Sequence, residues 1–195
     1  MTPEHVIVEI GGAGAPIRGI KRDVDTSVMY VSLDQDASGL KKYETTGHEA
    51  IGELGFLPLK SDVADEIWLM NVFGEIYIRD RGFLNPYRLR DGRLVFCNSA
   101  KNYFHDLAKV LKPQGSIYIG ELYSPPDPEC LTSRDFAEFG LEKTVYIGAD
   151  QIEFAKAQHL DAVWGGFLNR TVFGQETFFM RLQKTGSTDS ESKKF

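Results

Sequence analysis

A short apolar segment that runs directly into a glycine-rich turn constrains the fold of this chain more than any other feature. Val6–Ile10 has the apolar character of a buried strand, and Gly11, Gly12 and Gly14 follow it at once. Glycine lets a backbone turn sharply and approach a ligand closely, and a following helix would offer its N-terminal amides. The segment 16–25 is just long enough for such a helix. The sequence therefore predicts a strand, a ligand-binding turn and a crossover helix.

Strand-like and helix-like segments then alternate along the chain, as they do in proteins built on a parallel sheet. The further predicted strands are 27–33, 50–54, 66–72, 116–120, 143–147 and 177–182, and the further predicted helices are 37–46, 98–112 and 133–139. Helix 98–112 is the clearest, because apolar residues recur at helical spacing and Pro113 and Gly115 mark its end. The pattern indicates an α/β fold with a doubly wound, mostly parallel sheet.

Composition excludes several classes of protein. The chain has 195 residues, enough for one domain over 1–185, and its net charge of −6 argues against broad binding to nucleic acids or anionic membranes. No apolar run approaches the roughly 20 residues of a membrane-spanning helix. Cys97 and Cys130 have no metal-ligand spacing, and no metal site is predicted. We expect a reduced, soluble, cytoplasmic protein whose tail, 186–195, is disordered.

Two acidic residues stand where predicted strands end. Glu9 precedes the glycines, and Asp34 ends the next strand, 25 residues later, with Gln35 after it. In a doubly wound sheet these ends lie side by side at the ligand crevice, where a carboxylate can accept both hydroxyls of a ribose. Taken alone, Asp34 could equally be a helix N-cap, and Asp36 is a second candidate for the ribose acid.

A nicotinamide dinucleotide would bind at the same strand ends and is the alternative ligand. Its fingerprint would begin at Gly12 and Gly14 and require a glycine where Ile17 stands. Its pyrophosphate would also be repelled by Glu9, whereas a zwitterionic amino acid beside a sulfonium tolerates an acid there. These residues favour a sulfonium ligand.

The sequence here resembles the class I S-adenosylmethionine-dependent methyltransferases over most of its length. The family's first motif, an acid followed by alternating glycines, corresponds to segment 9–15, and its ribose acid to Asp34. Segment 51–59, with Glu53 four residues before Leu57-Pro58, is similar to the segment that holds the adenine. Segment 65–72 resembles the fourth strand, with Asn71 near its end, and 107–119 resembles a conserved helix–turn–strand of the family. Segment 178–182 matches the family's last, antiparallel strand.

The resemblance implies a seven-stranded Rossmann-like sheet with helices on both faces, and S-adenosylmethionine as cofactor. The implied cofactor-binding residues are Glu9, Gly11, Gly12, Ala13, Gly14, Asp34, Gln35, Glu53, Leu54, Asn71 and Val72. The implied function is methyl transfer to a small-molecule acceptor. The alternative is a noncatalytic module that binds S-adenosylmethionine or a partner, because alanines replace two motif glycines and no predicted helix precedes the first strand.

An insertion, 74–96, separates the fourth predicted strand from helix 98–112. It carries five arginines, at 79, 81, 88, 90 and 93, and Asp91-Gly92 is a good hairpin turn. One interpretation is a flap that recruits an anionic acceptor, since guanidinium groups pair well with carboxylates and phosphates. The other, slightly favoured, is a solvated hairpin whose arginines pair with Asp80 and Asp91. His48, His105 and His159 cannot be ranked as catalytic bases, so no catalytic residue is predicted.

Overall fold

The computed structural model describes residues 4–11, 27–42, 48–52, 54–70, 72, 87–90, 93–96, 98–121, 133–146, 150, 153–154, 157 and 178–186. The strands are β1 (His5–Ile10), β2 (Val28–Asp34), β3 (Glu49–Ile51), β4 (Ala64–Met70), β5 (Tyr87–Arg90), β6 (Arg93–Phe96), β7 (Leu111–Glu121), β8 (Leu141–Tyr146) and β9 (Phe178–Lys184). The helices are α1 (Ala37–Lys42), α2 (Asn98–Val110) and α3 (Ser133–Ala137).

Seven of these strands form one twisted sheet in the order β3-β2-β1-β4-β7-β9-β8. The pairs from β3 to β7 are parallel, and β9 runs antiparallel to both of its neighbours. The predicted mostly parallel sheet with a last antiparallel strand is therefore confirmed. From β1 the chain moves outward through β2 to β3, then returns to place β4 on the other side of β1. The carboxyl ends of β1 and β4 thus flank a topological switch point, where doubly wound sheets bind ligands.

One face of this sheet is apolar and forms the core with α2 and α3. Strand register aligns two rows of side chains across it, namely Val31, Val8, Ile67, Ile117, Leu182 and then Leu33, Ile10, Leu69, Ile119, Met180. The second row and most of the first are buried, and Phe104 and Leu107 of α2 and Phe136 of α3 complete the cluster. Alternation along each strand, together with the helical spacing in α2, explains why these residues meet.

The opposite face has a different composition. The aligned rows here are Ser32, Glu9, Trp68, Tyr118, Arg181, Thr144 and then Tyr30, Ile7, Glu66, Ser116, Gln183, Glu142. Phe154, in helical conformation, stacks on Tyr146 with ring centroids 4.5 Å apart and also contacts Tyr118. Both faces therefore carry helical residues, as the doubly wound architecture requires.

Local boundaries differ from the prediction at the end of α2. The helix ends at Val110 instead of 112, and Lys112 lies in β7. The amides of Asp62 and Val63 donate to the last carbonyls, Lys109 O at 3.0 Å and Val110 O at 2.9 Å. These bonds satisfy acceptors that a helix end leaves open, and Pro113 disfavours helical geometry at the residue before it.

The predicted hairpin in the insertion is present as the antiparallel pair β5–β6. The predicted helix 16–25, all but the first residue of the tail, and the rest of the insertion lie outside the described residues. Among the helices that the structure describes, none is long and apolar enough to cross a membrane.

Candidate functional site

The carboxyl end of β1 is held against both neighbouring strands. Gly11 donates its amide to Leu33 O of β2 at 2.8 Å and has a φ of +86°, a conformation that L residues rarely adopt. A Cβ at this position would lie 2.9 Å from Cγ2 of Val72, just beyond β4. Position 11 therefore requires glycine for two reasons, the positive φ and the close approach of Val72. The turn begins at the switch point, as predicted.

Glu9 places a carboxylate next to this turn. Glu9 is only 1% exposed, although charged side chains are seldom fully buried. It pairs in register with Ser32 of β2 and Trp68 of β4. Oε2 of Glu9 is buried, and the residue interacts with its surroundings. A buried acid is costly to keep unless its surroundings compensate its charge, so its position at a strand end points to function.

The structure separates the roles of the two aspartates at the end of β2. Asp36 caps α1, because its Oδ1 accepts hydrogen bonds from the Ser38 amide at 3.0 Å and the Ser38 hydroxyl at 2.7 Å. Asp34 is the last residue of β2 and receives the Asp36 amide on Oδ1 at 2.8 Å. The N-cap is therefore Asp36, and Asp34 has the strand-end position expected of a ribose acid. Gln35 between them is exposed.

The segment after β3 is tied to the same edge of the sheet. The amide of Gly52 donates to Asp34 O at 3.0 Å, so this segment continues alongside the end of β2. Leu54 is buried in the core cluster, whereas Ile51 and Phe56 are 64% and 83% exposed. The predicted adenine segment thus lies beside the predicted ribose acid.

Helix α2 holds this segment through contacts that the sequence did not indicate. Gly55 has a φ of +90°, and a Cβ there would lie 3.0 Å from the ring of Tyr103. Oδ2 of Asp106 accepts a hydrogen bond from the Leu57 amide at 3.0 Å. The two partners are 49 residues apart in sequence, and an acid on a helix gives no local signal of such a bond.

The remaining predicted residues divide into two groups. Gly12, Ala13, Gly14, Glu53 and Asn71 lie outside the described residues. His48 directly precedes β3 and its carbonyl accepts the Ser32 amide at 3.1 Å, and the exposed His105 meets Phe139 edge-on at 4.8 Å. In the described ranges, no group of three His, Cys, Asp or Glu residues is placed to hold a metal ion.

The polar face next to Glu9 has its own electrostatics. Trp68 stacks on Tyr118 at 4.4 Å and donates its indole N–H to Glu66 at 2.8 Å. Burial raises the pKa of Tyr118, and the nearby Glu66 carboxylate raises it further. Arg181 Nε donates to the Ser116 hydroxyl at 3.0 Å. A linked set of polar and aromatic side chains therefore extends from the candidate site across β4, β7 and β9.

Comparisons with known proteins bear on the fold. No protein-family profile and no curated protein matches the sequence. Solved structures do match. The aminoglycoside resistance methyltransferase NpmB1 has a TM-score of 0.59 at 16% identity, covering 94% of this chain and 89% of its own. A SAM-dependent methyltransferase from Aquifex aeolicus has a TM-score of 0.54 at 13% identity, covering 94% and 84%.

A third similar structure carries a different name. The [4+2]-cyclase SpnF has a TM-score of 0.53 at 12% identity, covering 95% of this chain and 76% of its own. At identities of this order the likeness establishes a fold and leaves the reaction open. The strand order, the antiparallel β9 and these neighbours agree on that fold. The chain has the Rossmann-like fold of the class I S-adenosylmethionine-dependent methyltransferases.

Proposed function

We propose that this protein binds S-adenosylmethionine at the carboxyl ends of β1, β2 and β4 and transfers its methyl group to a small-molecule acceptor. The observation that carries the proposal is the arrangement of Glu9, Gly11 and Asp34. A buried acid and a close-approaching glycine lie at the carboxyl end of β1, beside the switch point, and a strand-end aspartate lies at the end of the adjacent β2.

Each of these residues has a role that its surroundings support. The backbone at Gly11 brings the turn close to the ligand, where a side chain would collide with Val72. The Glu9 carboxylate lies near the ligand's ammonium end, and Asp34 accepts hydrogen bonds from the ribose hydroxyls. The predicted contributions of Gly12, Ala13, Gly14, Gln35, Glu53, Leu54, Asn71 and Val72 complete this proposed set.

The bound cofactor supplies a methyl group on a positively charged sulfur, which an acceptor atom can attack in line. The chain therefore has to hold the acceptor at the correct angle and exclude water, and positioning of this kind can lower a barrier by several kcal/mol. No residue is assigned as a base, because only some acceptors, such as hydroxyl groups, need one.

The acceptor would enter beside the insertion, which follows the carboxyl end of β4 directly. Its β5–β6 hairpin contains Arg88, Arg90 and Arg93 in a chain whose net charge is −6. Arginine pairs with carboxylates and phosphates through two parallel hydrogen bonds, so small anions are the first acceptors to test.

A second candidate function is ligand binding without methyl transfer, or another reaction on the same fold. The similarity to the [4+2]-cyclase SpnF favours keeping it, since that structure shares the fold under the name of a different activity. Both candidates retain the ligand site, so a measurement of methyl transfer, and not of binding, distinguishes them.

Calorimetric titration of the full chain with S-adenosylhomocysteine, and separately with a nicotinamide dinucleotide, tests the ligand. Binding of the first without the second is expected. No binding of S-adenosylhomocysteine up to about 1 mM, equivalent to a binding free energy weaker than about −4.1 kcal/mol, would contradict the proposal. A screen of carboxylates, phosphates and phenols with methyl-labelled cofactor then separates transfer from binding alone.

A further inference from the structure

The segment between β3 and β4 follows helix α2 for most of the helix's length. Contacts occur in sequence, first Gly55 against Tyr103 and then the Leu57 amide on Asp106. They continue with Asp62 N on Lys109 O and Val63 N on Val110 O. Residues 54–63 are therefore laid along α2 at four successive points.

The contacts at Tyr103 and Asp106 hold a different part of the chain from those at Lys109 and Val110. Those at Lys109 and Val110 satisfy the carbonyls of a helix end, a need of any helix. Those at Tyr103 and Asp106 hold residues 55–57, immediately after the segment that follows β3 into the candidate site. In the sequence, Leu54 stands directly before Gly55, and it is buried in the same core as Tyr103.

The bond to Asp106 is the stronger of the two site contacts. A partly buried carboxylate accepts a backbone N–H at 3.0 Å, and bonds with one charged partner are stronger than neutral ones. β3 ends at Ile51, and in residues 54–60 only Phe56 forms a β-bridge. Asp106 thus provides a side-chain anchor for a segment with little regular backbone pairing.

We propose that Asp106 is a positioning residue for the purine of the cofactor. The inference rests on the proposed function and deepens it. Asp106 does not touch the ligand but, with Tyr103, fixes the segment that contacts the purine ring. Without the anchor, the segment adopts its binding conformation for a smaller fraction of the time, and apparent affinity falls by that fraction.

Three variants test this role. Asp106→Ala removes the acceptor, Asp106→Asn keeps an oxygen that can accept the same N–H, and Lys101→Ala is the matched control. Lys101 lies on the same helix and forms an exposed ion pair with Glu138. Calorimetry with S-adenosylhomocysteine is expected to show about a tenfold loss for Asp106→Ala, a small loss for Asp106→Asn and none for Lys101→Ala.

A purely structural role is distinguished by purine selectivity. S-inosylhomocysteine, which has a carbonyl in place of the adenine amino group, is titrated in parallel. The ratio of the two affinities is expected to fall several-fold in Asp106→Ala and to stay at the parent value in Lys101→Ala. An unchanged ratio, or equal loss for both ligands in step with the free energy of unfolding, would overturn the positioning role.

Failure of the proposed function itself gives a different result. If the parent chain binds neither ligand, the cofactor assignment falls and this inference falls with it. If the parent binds S-adenosylhomocysteine, hydrogen exchange at the Leu57 amide reports the anchor directly. Exchange is expected to be faster in Asp106→Ala than in the parent or Lys101→Ala, and equal rates would overturn the proposal.

Discussion

The two faces of the main sheet are made from the same strands yet contain different chemistry. On one face, rows such as Leu33, Ile10, Leu69, Ile119, Met180 are apolar throughout and are closed by α2 and α3. On the other, the row Ser32, Glu9, Trp68, Tyr118, Arg181 mixes charge, hydroxyl and aromatic groups at the same depth in the sheet. Alternate residues of one strand therefore serve two environments.

The difference indicates that the apolar face serves stability and the polar face serves the ligand site. The apolar face gains its stability from burial, which is roughly proportional to the area removed from water and tolerates no charge. The polar face includes Glu9 at 1% exposure, a burial that apolar packing alone would disfavour. Changes on the first face should therefore alter stability and spare the ligand, and changes near the strand ends of the second should do the reverse.

The largest effect on stability is expected from Phe104→Ala on the apolar side. Phe104 is fully buried and meets Phe136 edge-on at 5.3 Å. Truncation of a buried aromatic residue costs about 3–5 kcal/mol, since transfer energy is lost and a cavity remains. Denaturant unfolding measures the loss. Affinity for S-adenosylhomocysteine, measured under conditions in which the variant is folded, should match that of the parent. A parallel fall in affinity would mean that the two faces do not have separate roles.

Two glycines with positive φ, one near the ligand site and one away from it, allow a matched test. Gly11, φ +86°, follows β1, whereas Gly140, φ +68°, joins α3 to β8, where a Cβ would have only an ordinary contact with Thr185 Oγ1 at 4.0 Å. Alanine at either position is strained by about 1–2 kcal/mol because of the left-handed backbone. Gly11→Ala alone also presses on Val72, so its ligand affinity should fall at least about a hundredfold, or about 2.8 kcal/mol.

Unfolding and calorimetry on both glycine variants give the check. Loss of stability in both variants, larger in Gly11→Ala, with ligand binding retained only in Gly140→Ala, is the expected pair of results. Normal binding by a folded Gly11→Ala protein would mean that the ligand does not approach the β1 turn.

The neighbouring aspartates provide a smaller and more selective test. Asp34→Ala should weaken S-adenosylhomocysteine binding by about 1.5–3 kcal/mol, the worth of hydrogen bonds to a charged group, with little change in stability. Asp36→Ala removes the α1 cap and should cost about 0.5–2 kcal/mol of stability with little change in affinity. Calorimetry and unfolding on both variants separate the roles, and the opposite assignment of losses would make Asp36 the ribose acid.

The sequence predicted the architecture because its signals are local and repeated. Short apolar runs rich in strand-favouring residues located the seven main strands, and the Asp91-Gly92 turn located the β5–β6 hairpin. Strand order follows from connection rules and from the family resemblance, both independent of side-chain detail. The end of α2 was misplaced by two residues, because the amides of Asp62 and Val63 that terminate it come from a distant segment.

The candidate site was predictable in part. The position of Gly11 and Asp34 at adjacent strand ends is confirmed, while their roles in binding, and the residues Gly12, Ala13, Gly14, Glu53 and Asn71, stay predictions. The capping role of Asp36 was within reach of the sequence, since Asp36 immediately precedes the predicted helix start at 37. The Asp106–Leu57 bond was not, because it joins segments that only the folded core brings together.

The smallest expected effect belongs to the centre of the polar face, at Tyr118. Burial, assisted by the Glu66 carboxylate, raises the pKa of its hydroxyl above the usual 10.0. A raised folded-state pKa contributes stability that is complete below the unfolded value and is lost as the pH rises above about 10. The difference in the free energy of unfolding between parent and Tyr118→Phe should therefore move in favour of the variant as the pH rises from 7 to 10–11, where the parent loses this contribution. Denaturant unfolding of parent and variant at both pH values measures the difference, in which the titration of every other tyrosine and lysine cancels. A constant difference between pH 7 and pH 11 would mean that this hydroxyl titrates normally, and that the polar face next to Glu9 is more hydrated than its burial indicates.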